Sequence, residues 1–227
     1  MKCSMINYTL THSNRKTIAI YVRNGKIEVR APFGCPTLEI DKLIESKKNW
    51  IIDKLAISRS QIESKTTFVL DYDSKILFRG QLFPVIAKAG TQAGFDGRRF
   101  YMPPNLPSAQ IKEICIKTYQ RLAKTRITSI VAEVAAHMGV TPTSVKINSA
   151  KTRWGSCSSR KSLNFSWRLI MASDDVIDYV VVHELAHIFE MNHSAKFWTI
   201  VEKVLPDYKQ RQEKLKELQK HLATESW

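Results

Sequence analysis

His183–Ser194, HELAHIFEMNHS, gathers three of the chain's 6 histidines and two glutamates into one short stretch. On a helix His183 and His187 stand four residues apart, so both imidazoles leave the same face about one turn apart. That spacing suits a single tetrahedral zinc with bonds of roughly 2.0–2.1 Å. Glu184 lies about 100° further round, where its carboxylate reaches a metal-bound water rather than the metal. In this HExxH arrangement zinc lowers the pKa of its water toward about 7 and the glutamate takes the proton. The Zn-bound water activated by Glu184 then attacks a carbonyl or phosphoryl centre.

The surrounding residues favour a bound metal over two stray histidines. Val176–Phe189, VIDYVVVHELAHIF, is almost wholly apolar and predicts a buried helix. Polar groups in such a helix are costly unless something binds them. Ser173 is placed to cap it, with Asp174 and Asp175 at the positive end of its dipole.

A catalytic zinc takes three protein ligands and keeps a fourth position open, so a third ligand must lie beyond the helix. The spacing His183, His187, His193 equals that of HExxHxxGxxH enzymes, in which the glycine lets the chain turn. Here Glu190 occupies the glycine position. Asn192 adopts left-handed backbone more readily than its neighbours, which puts the expected turn at Met191 and Asn192. His193 is the first candidate for third ligand; Glu190 and Glu202 are the alternatives.

The composition sets wider bounds. The 227 residues are 44% hydrophobic and 25% charged, as in an ordinary globular protein. No run of about 18 apolar residues appears, and MKCSMINYTLTHSNRK lacks the layout of a secretory signal, so a soluble cytoplasmic protein without a membrane role is expected. Cys3, Cys35, Cys115 and Cys157 are scattered and read as reduced thiols. A formal net charge of +14 and a pI near 9.7 draw polyanions, nucleic acid among them. The basic residues are dispersed, however, and no nucleic-acid-binding motif stands out. Oligomeric state leaves no mark on the sequence.

Along the chain, Lys16–Val22 and Lys26–Ala31 alternate apolar and polar residues around Asn24 and Gly25, a hairpin pattern. Apolar residues at helical spacing from Thr37 to Lys65 predict one long helix. Lys75–Ala89, broken at Gly80 and Gln81, predicts a second hairpin, and Gly97–Pro103 a further strand. Pro103, Pro104 and Pro107 form a stiff joint. That joint divides the chain into a β-rich region with a long helix (1–104) and a metallohydrolase domain (105–227). Ser108–Met138 predicts a long helix ended by Gly139. Ser144–Met171 predicts strands with a turn between Gly155 and Ser162, then an alternating strand Leu163–Leu169 whose wet face carries Asn164, Ser166 and Arg168. Helices near Ser194–Val204 and Asp207–Leu222 complete an α+β fold.

The run TRWGSCSSRKSLNFSWRLIMASDDVIDYVVVHELAHIFEMNHSAKFW (Thr152–Trp198), with LPDYKQR beyond it, resembles the YgjP-like family of zinc metallopeptidases, related to SprT-like proteins. WGSC at Trp154–Cys157, YVVVHELAH and NHSAKFW are its most specific parts, and VRNGKIEVRAP, KKNWI and RGQLFPV extend it through the chain. The resemblance implies a zincin-like catalytic domain, an antiparallel or mixed sheet plus the HExxH helix, behind the β-rich N-terminal part. It also implies Zn2+ as cofactor and His193 as third ligand.

Three functions are compatible with these residues. The first is a metallopeptidase with its peptide laid along Leu163–Leu169, contacted by Asn164, Ser166 and Arg168, with Trp154 anchoring the adjoining loop or stacking on substrate. The second is a nucleoside triphosphate pyrophosphatase using the same metal, as proposed for some family members. The third is a nucleic-acid-associated protease, as the SprT-like relatives suggest. Cys157 is close enough in sequence for a thiolate to compete for the metal, although small packed cysteines are commoner.

Overall fold

Apolar residues alternate with charged ones in Lys26–Pro32, and in the structure the apolar set becomes the floor of the first of two units. A computed structural model describes residues 6–227; Cys3 and the first residues of the segment weighed against a secretory signal lie outside the described residues. The first unit runs to Phe68 and takes in residues 222–226. It contains strands β1 (Thr9–Ser13), β2 (Ala19–Arg23) and β3 (Lys26–Pro32) in the order β1-β3-β2. β2 and β3 form the expected antiparallel hairpin, with Asn24 and Gly25 at φ 50° and 69°. β1, which the sequence pattern does not reveal, lies parallel to β3.

Ile27, Val29 and Ala31 point to one face of β3 and pack with Ile40, Ile44 and Ile51. Full burial of such side chains stabilises by about 1.5–3 kcal/mol each. The single helix expected over Thr37–Lys65 is two, α1 (Thr37–Ser46) and α2 (Lys48–Thr67). Lys47 leaves helical geometry at φ −106°, ψ 11°, with its N–H shared between the carbonyls of Leu43 and Ile44.

The second unit, Val69–His221 with Trp227, begins well before the proline joint. Its first sheet, β4-β5-β7-β6, comprises β4 (Lys75–Phe78), β5 (Gln81–Ala87), β6 (Gly94–Phe95) and β7 (Phe100–Met102). The tight turn between β4 and β5 is Arg79-Gly80, both at positive φ, rather than Gly80-Gln81. This sheet belongs with the helices and strands beyond the joint, because its aromatic face is continuous with their core. Phe100 packs 5.3 Å from Tyr119, Tyr119 stacks on Trp167 at 5.7 Å, and the Tyr119 hydroxyl donates to the Leu77 carbonyl at 2.6 Å. The compact units therefore divide at residues 68/69 rather than at 104.

Helix α3 (Ser108–Met138) spans the predicted range, buries Ile111, Cys115, Tyr119, Ile127 and Ile130 at helical spacing, and stops at left-handed Gly139 (φ 68°). A second sheet, β8-β10-β9, consists of β8 (Ser144–Asn148), β9 (Gly155–Cys157) and β10 (Ser162–Ser166). A 3₁₀ turn over Trp167–Met171 leads to α4 (Asp174–Ala186), then α5 (Ala195–Val204) and α6 (Tyr208–Leu222). The fold is α+β, as expected. Among the described residues no helix is long and apolar enough to cross a membrane.

The β4–β5 turn fixes the start of α4. The N–H groups of Arg79 and Gly80 donate to Ile170 and Met171, and a Cβ at Gly80 would lie 3.0 Å from that of Ser173. Ser173 takes the N-cap position, although its hydroxyl makes no capping bond. Arg79 instead grips Asp174 through two guanidinium nitrogens, which holds that carboxyl below the usual range. A depressed folded pKa contributes stability above the unfolded value, and that contribution is lost as pH falls through the folded value. Asp174→Asn is accordingly expected to lower stability at neutral pH by about 1 kcal/mol. The difference should shrink as pH falls below the ordinary carboxylate range and vanish once the folded carboxyl is protonated, and an offset that persists in fully acid melting curves would contradict the ion-pair explanation.

Candidate metal centre

Helix α4 delivers His183 and Glu184 from its last turn, and His187 stands at its C-cap. Beyond it the chain tightens: the N–H groups of Ile188 and Phe189 donate to Leu185 and Ala186, three residues back, each at 3.0 Å. The His187 Nδ1 then meets the Glu190 carbonyl at 3.1 Å. Glu190 folds its carboxylate back on the Asn192 N–H, and the Ser194 N–H donates to the Asn192 carbonyl at 2.8 Å. Neither Met191 nor Asn192 is left-handed. The expected turn there is replaced by this earlier 3₁₀ exit, which needs no positive φ and so no glycine at position 190.

This exit brings His193 back over the helix. One ring nitrogen of each of His183, His187 and His193 lies within 4.8 Å of the others, and the Nε2 atoms of His183 and His193 are 3.0 Å apart. Two ligands on one tetrahedral zinc at the usual bond length sit roughly 3.3 Å apart, so the observed set is sized to hold such an ion. Glu190 and Glu202 are not part of this cluster among the described residues.

Burial, and then the neighbouring histidines, push His183 down to about 3, and burial also lowers His187. Both are neutral imidazoles, the form that binds metal. If Nδ1 of His187 donates to Glu190, its Nε2 is left free for an ion. Nδ1 of His183 is buried without a hydrogen-bond partner, a departure from the usual supported metal histidine. Beneath the three rings lies Phe197, fully buried, at 4.9, 4.5 and 4.9 Å from His183, His187 and His193. Ser194 caps α5 by accepting from the Phe197 N–H, which fixes this aromatic floor at the helix start.

Glu184 is buried, and burial raises its carboxyl to about 7 against the opposing charge of Arg153. Its neighbour is Gly155 of β9, where a Cβ would stand 2.6 Å from both Cγ and Oε1 of Glu184. The glycine inside WGSC is the signal in sequence for such a close backbone approach, one that a reading of the motif as a turn passes over. Gly155→Ala is expected to displace the carboxylate and reduce turnover by about 10²-fold while bound metal is retained. Wild-type turnover in this variant would show that the close approach is incidental.

The expected substrate strand is not where the alternation places it. β10 ends at Ser166 and is the central strand, paired with β8 on one side and β9 on the other, so it has no free edge. Ser166 and Arg168 are buried, not wet. The Ser166 hydroxyl donates to Ala150 and caps the 3₁₀ turn, while the Arg168 guanidinium reaches the carbonyls of Ser149 and Trp227. Asn164 faces away from Glu184, because its neighbour Phe165 is the residue that shares a face with Gly155. Trp154 is half-buried and holds Ser166 through its carbonyl. The Cys157 thiol is pushed up by burial and by the charge of Glu184, and among the described residues it is not part of the histidine cluster.

The edge strand is β9. The Ser166–Trp154 and Ser158–Ser162 bonds set the hydrogen-bonded pairs of its ladder with β10. The intervening Gly155 and Cys157 therefore turn their N–H and C=O groups outward, beside Glu184.

Clustered histidine nitrogens, a buried glutamate and an adjoining sheet edge are the parts that a metal-dependent hydrolase needs. The chain belongs to the YgjP-like family, whose model, described as a YgjP-like metallopeptidase domain, matches residues 16–218. Among solved structures it is similar to the metallopeptidase zymogen of Pyrococcus abyssi abylysin, with 22% identity and a TM-score of 0.37 over 39% of this chain and 90% of that one. It is also similar to the zymogen of Methanocaldococcus jannaschii jannalysin, with 21% identity and a TM-score of 0.37 over 40% and 94%. No curated protein matches the chain. The family implies a metal ion, and the three histidines are suited to hold one.

Proposed function

We propose that the protein is a zinc-dependent metallopeptidase in which His183, His187 and His193 hold the ion and Glu184 is the general base. The observation that carries this reading is the convergence of three imidazole nitrogens within 4.8 Å, beside a buried carboxylate. Bound there, zinc would supply Lewis-acid chemistry, activating water and polarising the scissile carbonyl. Glu184 takes the proton of the attacking water and returns it to the leaving amine, a double role suited to a carboxyl lifted toward neutrality. The outward amides of Gly155 and Cys157 pair with an extended peptide and set its carbonyl beside Glu184. Free thiols at Cys35, Cys115 and Cys157 fit a cytoplasmic setting.

The test is digestion of a peptide library by the zinc-loaded protein, read by mass spectrometry, beside chelated protein and a panel of nucleoside triphosphates. Cleavage restored by zinc is expected. Peptides left intact by fully loaded protein would overturn the reading, and zinc-dependent release of pyrophosphate would replace it with the nucleotide reaction.

A further inference from the structure

The segments that lead into and out of the open edge carry charge of one sign. From Val134 to Ser173 the sequence has no aspartate or glutamate, whereas Lys146, Lys151, Arg153, Arg160 and Lys161 in that stretch are all exposed. Lys196, also exposed, comes three residues after His193 at the start of α5. Among the described residues none of these six forms an ion pair; the ion pairs lie elsewhere in the fold. Apart from the fields that Arg153 exerts on Glu184 and Lys151 on Lys112, their charge is available to a ligand.

Four of these residues bracket the open edge. Lys151 and Arg153 lead into β9, and Arg160 and Lys161 form the turn that leaves it, held by the Thr143 hydroxyl on the Arg160 carbonyl and by left-handed Lys161 (φ 59°). At roughly 3.3 Å per residue, both groups fall within about 20 Å of Gly155. An extended chain lying along β9 has its side chains at the same spacing. Residues a few positions to either side of its scissile bond therefore pass Arg153 and Lys151 at one end, and Arg160 and Lys161 at the other.

We infer that the substrates are acidic segments of polypeptide, carrying aspartate or glutamate on both sides of the bond to be cut. This rests on the peptidase reading of the site. Nucleic acid would feel the same field, but a sugar-phosphate backbone offers no alternating N–H and C=O groups to pair with the outward amides of Gly155 and Cys157. Trp154, the aromatic residue next to that edge, is half-buried and not an open stacking platform.

The experiment uses the zinc-loaded full chain and fluorogenic peptides of one sequence, with Glu, Ala or Lys at the positions flanking the scissile bond. The Glu peptide should exceed the Ala peptide in kcat/KM by roughly tenfold at low salt, with the Lys peptide below both. High salt should shrink that ratio, and the triple substitution Arg153→Ala, Arg160→Ala, Lys161→Ala should bring it near one with zinc content and melting temperature unchanged. Equal cleavage of all three peptides overturns the inference and leaves the peptidase reading standing, whereas cleavage of none overturns both. A Glu preference that survives the triple substitution, or tight salt-sensitive binding of single-stranded DNA without any Glu preference, also overturns it.

Discussion

Replacing Glu184 by glutamine is expected to slow peptide hydrolysis by about 10²- to 10⁴-fold with zinc still bound. Glutamine keeps the size of the side chain, so it still fits the space against Gly155, where even one added carbon would collide. It cannot accept a proton. Because Glu184 is not one of the three clustered imidazoles, its loss removes the base and leaves the ion's donors in place. Steady-state rates measured beside metal content separate these effects. An active glutamine variant would assign the proton transfer to another group, and loss of zinc with the substitution would make Glu184 a ligand.

Removing His183 and His187 together acts on the ion itself. Two of three donors vanish, so affinity should fall by far more than the roughly 10- to 100-fold typical of disturbing a supporting residue, and activity should disappear with it. Zinc should raise the melting temperature of the wild-type protein through binding to the folded state and have no such effect on the double variant. Circular dichroism guards against trivial unfolding, since Phe197 and the apolar stripe of α4 remain to pack the helix. Stoichiometric zinc in His183→Ala, His187→Ala would remove the site from these residues altogether.

Features written in local chemistry are legible in the sequence. Asn24-Gly25 marks the first hairpin, Gly139 the end of a 31-residue helix, and the His183–His187 spacing one face of α4. Features set by distant partners are not. The alternation from Leu163 to Leu169 looks like a continuous strand, yet Ser166 caps a 3₁₀ turn and draws Arg168 inward toward Trp227, a partner 59 residues away. The proline joint looks like a boundary, but Phe100 and Leu77 bind Tyr119 across it. At the candidate site the cluster of histidines is foreseeable and its route is not. Left-handed backbone at Asn192 is one way to leave a helix, and i−3 hydrogen bonds at Ile188 and Phe189 are another, which no single residue type announces. Alternation alone puts the open edge one strand too far along for a related reason: pairing order is a property of the sheet, not of the segment.

In the proposed site one zinc is held by three histidines with a coordination position left open. Anomalous diffraction at the zinc edge from metal-loaded crystals tests it most directly. A single strong peak is predicted, with nitrogens of His183, His187 and His193 at about 2.0–2.1 Å and no fourth protein ligand. A peak elsewhere in the chain, or one completed by Glu190, Glu202 or Cys157 in place of His193, would contradict it.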